Sequence, residues 1–451
     1  MVEPMIGLEI HAQLNTKSKL FCSCANTIKT KPNTLTCPTC LGMPGSKPQI
    51  NQKVIDLALK VALSLNCKIN SNIHFSRKTY FFPDLPNNFQ ITQFEKPIGF
   101  NGQLNNIRIK RIHIEEDPGR LIHKKNYVLI DYNRSGTPLI EIVTEPDLKS
   151  SKEAKEFLNN LIKLLEYLNV YFRSSQSTLR CDVNVSINQG NRVEVKNVNG
   201  INEIKKVIDY EIARQQEQTV KRETRRWDEK KQITYSMRTK ETEEDYGYIT
   251  EPNLTSIDIT KEKISLTKLT LPELAHEKSE RYVKKYNISK EDAKILASNI
   301  YLSDIFEKIT KKIDPKLAVR WLRRDLLKSL NKTEKKLEDT YITSENLIEL
   351  LQLYSQKKIN DKIVKKLIET LIDKKINIKD YIKKQNLEIM SNTLEIEKLC
   401  KEIIKENPSV VNDYKQGNTN AINYLIGQIM KKTKGKASPD IVKKIFENLL
   451  K

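Results

Sequence analysis

The chain has 451 residues and a formal net charge of +21, with 78 Lys and Arg against 57 Asp and Glu. This length exceeds what one hydrophobic core usually serves, so two or three domains are expected, and the lack of a signal peptide or a membrane-length apolar run argues for a cytoplasmic protein. The surplus of positive charge favours a polyanionic partner such as nucleic acid, although a general bias toward Lys, Asn and Ile also explains it.

Four cysteines near the N-terminus are spaced as two close pairs, Cys22-x-Cys24 and Cys37-x-x-Cys40. Two such pairs joined by a short loop can place four thiolates around a zinc ion, each about 2.3 Å from it. The alternatives are two disulfides, which a basic chain without a secretory start disfavours, or thiols that fill a core. Four sulfur ligands leave no open position for a substrate, so the predicted zinc site is structural.

Five strand-like segments in the first half carry polar or ionisable side chains two residues apart, and therefore on one face of each strand. In chain order these residues are Glu9 and His11; His113 and Glu115, followed by Glu116; Glu141; Arg180, Asp182 and Asn184; and Glu194 and Lys196. One such face is usually a solvated surface, but five are harder to explain that way. If the strands form one sheet, the carboxylates need cations to neutralise them. Oxygen ligands suit Mg²⁺, and Lys and Arg among them suit a phosphate, so the pattern predicts a magnesium–nucleotide site.

Standard nucleotide-binding motifs are absent from the sequence. There is no G-x-x-x-x-G-K-[ST] and no strand followed by G-x-G-x-x-G. ATP would therefore be bound on an open sheet lined with carboxylates. A histidine ligand at His11 suits Mn²⁺ or Zn²⁺ better than Mg²⁺, which leaves the identity of the metal open.

Glycine usage and periodicity divide the chain. Ten of the thirteen glycines lie at or before Gly247, and the next glycine is Gly417. Alternating strand-like segments fill the first part, and apolar residues recur at helical spacing after about residue 285. We therefore predict an α+β protein, with a mixed-sheet domain at 1–287, an all-α domain at 288–387 and a small helical tail domain at 388–451.

The tail is strongly basic. Residues 401–451 contain ten Lys against five acidic residues. A turn within this segment carries four lysines that we predict to contact nucleic-acid phosphates, which add affinity without reading sequence: Lys431, Lys432, Lys434 and Lys436. The alternative is a solvated basic turn.

Several long segments, in order along almost the whole chain, resemble the B subunits of tRNA-dependent amidotransferases. They are Gly7–His11, Cys37–Gly45, Arg77–Pro86, Ile114–Arg120, Asp131–Asp147, Glu223–Asp228 and Leu425–Ala437. The resemblance implies a kinase-like cradle domain with a zinc-binding insertion, then a helical domain, then a tail domain that contacts tRNA. It also implies two protein partners, the glutaminase (the A subunit of such enzymes) and the small C subunit.

In that family, the B subunit uses ATP to phosphorylate the side-chain carboxyl of glutamate on tRNA(Gln), and often of aspartate on tRNA(Asn). Ammonia from the glutaminase then displaces the phosphate. The resemblance implies that His11, Glu115 and Glu141 are magnesium ligands, with Glu9 and Glu116 beside them. Phosphate or carboxyl contacts would come from Arg134, Arg180 and Lys196. A second metal or the substrate would be contacted by Asp182, Asn184 and Glu194.

Two rival interpretations are weaker. The E subunits of archaea, which are paralogues of the B subunits, carry a large extra domain after the cradle, and this chain has no room for one near residue 290. A non-catalytic zinc-ribbon RNA-binding protein would explain the cysteines and the charge, but it would leave the acidic strand faces without a purpose. The sequence leaves open whether glutamyl-tRNA, aspartyl-tRNA or both are substrates.

Overall fold

The computed structural model describes residues 3–27, 30–171, 179–239, 247–385, 387, 393–416, 418, 420–433 and 437–450. By its internal contacts the chain divides into two compact units, Met1–Leu274 and Ala275–Lys451. None of the helices that the structure describes is long and apolar enough to cross a membrane.

The first unit combines strands with four helices among its described residues. The strands are β1 (Pro4–Gln13), β2 (Lys68–Ile69), β3 (Asn72–Ile73), β4 (Ser76–Thr79), β5 (Phe89–Thr92), β6 (Gly99–Leu104), β7 (Ile107–Asp117), β8 (Arg120–His123), β9 (Val128–Asp131), β10 (Thr137–Thr144), β11 (Arg180–Ile187), β12 (Val193–Asn199), β13 (Glu223–Asp228), β14 (Ile233–Thr239), β15 (Ile249–Thr250) and β16 (Ile257–Asp258). The helices are α1 (Gln52–Ser64), α2 (Ser151–Tyr167), α3 (Ile201–Glu217) and α4 (Lys261–Leu269).

A nine-stranded mixed sheet dominates this unit, in the order β14-β13-β12-β11-β1-β10-β7-β6-β2. Among its described pairings, β12 and β13 alone run parallel, and α3 makes the crossover between them. Such a connection is required because parallel neighbours cannot be joined by a tight hairpin. The hairpin of β8 and β9 is inserted between β7 and β10.

Strict alternation along β1 separates the two faces of this sheet. Ile6, Leu8 and Ile10 are fully buried in a core that also contains residues of α1, α2 and α3, such as Val61 and Leu161. The side chains between them project from the opposite face, because successive residues of a strand alternate. One face of the sheet is therefore the packed core, and the other is free to carry polar chemistry.

The second unit is helical throughout its described secondary structure. Its helices are α5 (Ala275–Tyr286), α6 (Lys290–Leu296), α7 (Ile300–Ile309), α8 (Pro315–Val319), α9 (Leu327–Thr333), α10 (Ser344–Ser355), α11 (Asp361–Asp373), α12 (Ile378–Lys384), α13 (Thr393–Glu406), α14 (Pro408–Lys415), α15 (Ala421–Lys432) and α16 (Pro439–Leu449). A π-helical segment, Arg320–Leu326, joins α8 to α9, and Leu337–Asp339 forms a 3-10 turn. Two separate cores occur in this unit, one around Phe306 and Trp321 and the other around Cys400, Leu425 and Phe446. A large mixed sheet followed by helical structure confirms the predicted α+β order.

Close packing of strand β6 against the end of α1 gives a stability test. A Cβ at Gly102 would lie 2.3 Å from the Cys67 sulfur and 2.6 Å from the Leu65 carbonyl oxygen, whereas a Cβ at Gly427 in α15 would meet no described atom within 4 Å beyond its chain neighbours and the backbone of its own helix. Gly102→Ala should lower the free energy of unfolding by about 1–3 kcal/mol through overpacking. Gly427→Ala should raise it by up to about 1 kcal/mol through helix propensity. Denaturant unfolding measures both, and equal stability of Gly102→Ala and wild type would contradict the packing argument.

Candidate functional site

The polar faces predicted from the sequence lie on neighbouring strands of one sheet. Strands β12, β11, β1, β10 and β7 are consecutive in the strand order, as the magnesium–nucleotide hypothesis required. Register places His11 opposite Glu141 of β10 and opposite Arg180 of β11. It also places Glu9 opposite Asp182. Because directly opposed residues share a face, the side chains of β1 form the centre of the site.

One group of ligands comprises His11, Glu115 and Glu141, whose ligand atoms all lie within 4.8 Å of one another. The His11 Nε2 lies 3.2 Å from Glu141 Oε2 and 3.4 Å from Glu115 Oε1. Both carboxylates are buried, and His11 is partly exposed. One imidazole and two carboxylates at these separations can converge on a single divalent cation.

A second group comprises Glu9, Asp182 and Glu194, also within 4.8 Å of one another. Lys196 Nζ lies 2.9 Å from Asp182 Oδ2 and 3.5 Å from Glu194 Oε1, and Asn184 Nδ2 donates to Glu9 Oε1 at 3.0 Å. Glu9 thus belongs to the β11–β12 side of the site rather than to the His11 group. The lysine neutralises part of the acidic charge, and the remaining oxygens can hold a second cation or a substrate.

The pKa values record how crowded these charges are. Burial raises the pKa of Glu9, and the neighbouring carboxylates of Glu141, Asp182 and Glu194 raise it further. Burial alone would lower the pKa of His11, but Glu141 and Glu115 raise it to about 9. A protonated His11 therefore balances the carboxylates, and it would release its proton on binding a metal ion.

Two buried polar atoms in the site have no hydrogen-bond partner among the described residues, His113 Nδ1 and Asn184 Oδ1. An unpaired polar atom in a buried site costs free energy unless a ligand or water satisfies it. Together with the excess of carboxylates, these atoms fit a site that binds cations and polar substrate groups.

An arginine pair lies at one edge of the site and depends on Asp117. Arg180 Nη2 lies 2.6 Å from Asp117 Oδ1, and Arg134 Nε lies 3.6 Å from Asp117 Oδ2. Arg134 also donates to the carbonyl oxygens of Pro118 and Gly119. A buried carboxylate between two guanidinium groups fixes both, which leaves donors available for an anionic ligand.

Glu116 is the predicted magnesium ligand that the structure places elsewhere. It follows Glu115 directly, so its side chain leaves the opposite face of β7, where its Oε1 accepts a hydrogen bond from the Ile91 amide at 2.9 Å. Burial raises its pKa to about 7. The prediction was wrong for this residue because two consecutive strand residues cannot share a face.

Two residues with no role predicted from the sequence also lie in the site. His113 Nε2 lies 3.0 Å from Glu141 Oε2, and Asp117 holds the arginine pair. Both continue the period-two pattern of Glu115 along β7, and that pattern was the signal available for them. His113 supports the Glu141 carboxylate from the β7 side.

The four predicted cysteine ligands come together. The sulfurs of Cys22, Cys24, Cys37 and Cys40 all lie within 4.8 Å of one another. Those of Cys37 and Cys40 are 3.8 Å apart, which is about the S–S edge expected around tetrahedral zinc. A thiol hydrogen bond from Cys22 lowers the pKa of Cys40 to about 4. All four are free thiols, and their geometry fits a structural zinc ion rather than two disulfides.

The predicted basic turn of the tail is described in part. Lys431 and Lys432 end helix α15, and both are exposed, whereas Lys434 and Lys436 lie outside the described residues. Lys432 Nζ lies 3.0 Å from Glu402 and 3.1 Å from Glu406 of α13, so it is already paired within the tail. Lys431 extends from the same helix end.

The different positions of Glu141 and Glu116 give a direct test of the metal site. Glu141→Gln should weaken Mn²⁺ binding at least about tenfold, equivalent to ~1.4 kcal/mol, because it removes a charged ligand atom from the His11 group. Glu116→Gln should bind Mn²⁺ as the wild type does, because its side chain points away from that group. Electron paramagnetic resonance titration of Mn²⁺ measures both affinities. Equal losses in the two variants would contradict the assigned cluster.

Comparisons with known proteins place the chain in a family. Residues 4–265 match the GatB/GatE catalytic domain, and residues 304–450 match the GatB domain. A protein of Persephonella marina, named as the B subunit of aspartyl/glutamyl-tRNA(Asn/Gln) amidotransferase, is 40% identical over 471 aligned positions, which cover 100% of this chain and 99% of the relative. Proteins of the same name from Pseudothermotoga lettingae and Clostridium tetani are 42% and 40% identical, covering 99% and 98% of each chain. The chain therefore belongs to the family of B subunits of aspartyl/glutamyl-tRNA(Asn/Gln) amidotransferases.

Proposed function

We propose that this chain is the ATP-dependent component of a ligase that converts Glu-tRNA(Gln), Asp-tRNA(Asn) or both to the amidated aminoacyl-tRNA. The observation that carries the proposal is the polar face of the large sheet. There, two clusters of metal-ligand residues lie beside three cationic side chains, those of Arg134, Arg180 and Lys196. A purely RNA-binding surface would gain nothing from burying Glu115, Glu141, Asp182 and Glu194.

The chemistry required is the activation of a carboxylate, which is a poor electrophile. The side-chain carboxylate of the misacylated amino acid attacks the γ-phosphorus of ATP, forming a carboxyl–phosphate bond and releasing ADP. Ammonia then attacks the acyl carbon, and inorganic phosphate leaves with the bonding electrons. Phosphoryl transfer needs mainly alignment and charge neutralisation from protein, which this site can supply.

Each group of residues has a defined task in that reaction. His11, Glu115 and Glu141 would hold magnesium, which supplies charge neutralisation for the transferred phosphoryl group. Glu9, Asp182, Asn184 and Glu194 would hold a second cation or orient the substrate. Arg134, Arg180 and Lys196 would bind phosphate oxygens, since guanidinium and ammonium groups donate strong hydrogen bonds to them.

Domain organisation follows from the same proposal. Residues 1–287 would form the kinase-like cradle with its zinc insertion at Cys22–Cys40, residues 288–387 the helical domain, and 388–451 the tail. By internal contacts, helix α5 at the end of the first range packs with the helical unit, which begins at Ala275. The separate core around Leu425 and Phe446 supports an independent tail. Zinc would hold the insertion together without taking part in the chemistry.

The partners are the remaining components of the reaction. The glutaminase would supply ammonia, the small C subunit would complete the assembly, and misacylated tRNA(Gln) or tRNA(Asn) would be the substrate. The net charge of +21 supports a polyanionic substrate. The relatives' name, which designates them B subunits, supports an assembly of several different chains.

Alanine substitutions in the metal-binding group should separate the two activities of the complex. Glu115→Ala or Glu141→Ala in the assembled enzyme should abolish ATP hydrolysis that depends on misacylated tRNA, because the phosphoryl charge would no longer be neutralised. Glutamine hydrolysis by the glutaminase should persist. Separate assays of ADP and glutamate release measure these outcomes, with Glu-tRNA(Gln) and Asp-tRNA(Asn) supplied individually. Retained phosphorylation would remove these residues from the site.

Removal of residues 388–451 should weaken tRNA binding and reduce its dependence on salt, because the tail would contribute lysine–phosphate contacts. The zinc content and the magnesium site of the remaining chain should be unchanged. Filter binding of tRNA at several salt concentrations measures the effect, and metal analysis provides the control. An unchanged affinity would identify the basic turn as a solvated surface.

A further inference from the structure

Lys19 is a buried cation at the edge of the four-cysteine cluster. Its side chain is fully buried, and its Nζ donates to the Leu35 carbonyl at 3.0 Å, the Tyr132 carbonyl at 3.2 Å and the Cys40 sulfur at 3.4 Å. All three ammonium protons therefore have acceptors. Within the described chain, no carboxylate lies within ion-pair distance of this ammonium.

A buried ammonium without a carboxylate partner needs another source of negative charge. Four thiolates around one divalent zinc carry a net charge of −2, and the sulfur of Cys40 accepts directly from Lys19. Since the sulfur separations fit tetrahedral zinc, the zinc–thiolate cluster is the counter-ion that the position of Lys19 requires. Donation to a ligating sulfur also stabilises the thiolate against protonation.

The same lysine reaches the loop that carries Arg134. This loop, Tyr132–Gly136, is held on the cysteine segment at further points: Ser135 Oγ donates to the Cys40 carbonyl at 3.1 Å, and the Leu20 amide donates to the Gly136 carbonyl at 2.8 Å. On one side the loop is thus hydrogen-bonded to Lys19 and Cys40 at the cysteine cluster.

On its other side the loop reaches the candidate active site. Arg134 lies against Asp117, which pairs with Arg180. Arg180 in turn is opposite His11 in the sheet. A continuous set of contacts therefore runs from Cys40 through Lys19 and the loop to the arginine pair.

We propose that Lys19 is a positioning residue, which uses the negative charge of the zinc–thiolate cluster to fix the loop Tyr132–Gly136 and so places Arg134 for binding a phosphate group. The assignment of a phosphate to Arg134 rests on the proposed function; the link between Lys19, the cluster and the loop does not. The zinc insertion then supports substrate binding at a distance, through one named side chain.

The test compares Lys19→Met with Lys17→Met, an exposed lysine two residues away, in the full amidotransferase complex. Lys19→Met should lose zinc to a chromogenic chelator about tenfold faster or more. Backbone amides of residues 132–137 should exchange hydrogen faster, both in this variant and in zinc-depleted wild type, while those of Leu139–Val143 remain protected. Lys17→Met should match the wild type in both measurements.

Kinetics provide the second measurement. Lys19→Met should raise KM for ATP toward the value of Arg134→Gln with a smaller effect on kcat, and the double variant should be no worse than Arg134→Gln alone. Additive effects, or unchanged zinc release and exchange in a folded Lys19→Met, would overturn the proposal. If Lys19→Met does not fold, Ser135→Ala provides the test, because it keeps the Lys19 charge and removes one contact between the loop and Cys40. This variant should speed hydrogen exchange at residues 132–137 and release zinc at the normal rate. Unchanged exchange would again overturn the proposal.

These measurements also separate the two proposals. Zinc release and hydrogen exchange are recorded without tRNA or ATP, so they test the link between Lys19 and the loop directly. Failure of the wild-type complex to amidate either tRNA would instead count against the proposed function.

Discussion

Strand β1 lies at the centre of the large sheet, with β10 on one side and β11 on the other, and its alternation determines which face of the sheet carries the candidate site. From Ile6 to Ala12 its even-numbered residues have no exposed surface. Its odd-numbered neighbours, Glu9 and His11, therefore have to face the opposite side. Each of them meets a different set of carboxylates, so a single strand joins the two ligand groups. A shift of one residue in the register of β1 would turn Glu9 and His11 into the core and its apolar side chains out of it.

Concentrating so many carboxylates on one face is unfavourable unless positive charge is interleaved with them. The chain supplies it locally: His11 and His113 beside Glu141, Lys196 beside Asp182, and the arginine pair on Asp117. Burial opposes the lowering of the Glu141 pKa, and the two histidines overcome it. The face is thus a set of compensated charges, which can exchange a proton or a side-chain partner for a metal ion or a phosphate at modest cost.

Much of this could be inferred from the sequence, because period-two alternation is a local property. It identified Glu9, His11, Glu115 and Glu141 on one face, and the four cysteines were identified by their spacing. The same rule placed His113 on that face, although no role was assigned to it; applied consistently, it would have excluded Glu116 and included Asp117. The pairing of β1 with β10 and β11 had to be assumed, since it joins residues such as Leu8 and Thr144, which are 136 positions apart. Lys19 gave no signal, because burial of a lysine is a property of the folded chain.

The central position of β1 has a consequence for synthesis of the protein. Glu9 and its hydrogen-bonding partner Asn184 are 175 residues apart, so β1 gains its neighbour β11 only after β11 has left the ribosome. At about 5–20 residues per second, that delay is on the order of ten to thirty seconds. During this time the β11 side of β1 is an unpaired strand edge, which is prone to aggregation. The cysteines from Cys22 to Cys40 follow β1 directly and can close around a metal ion much earlier. The end of β1 therefore adjoins a cluster whose four residues are all made long before β10 and β11.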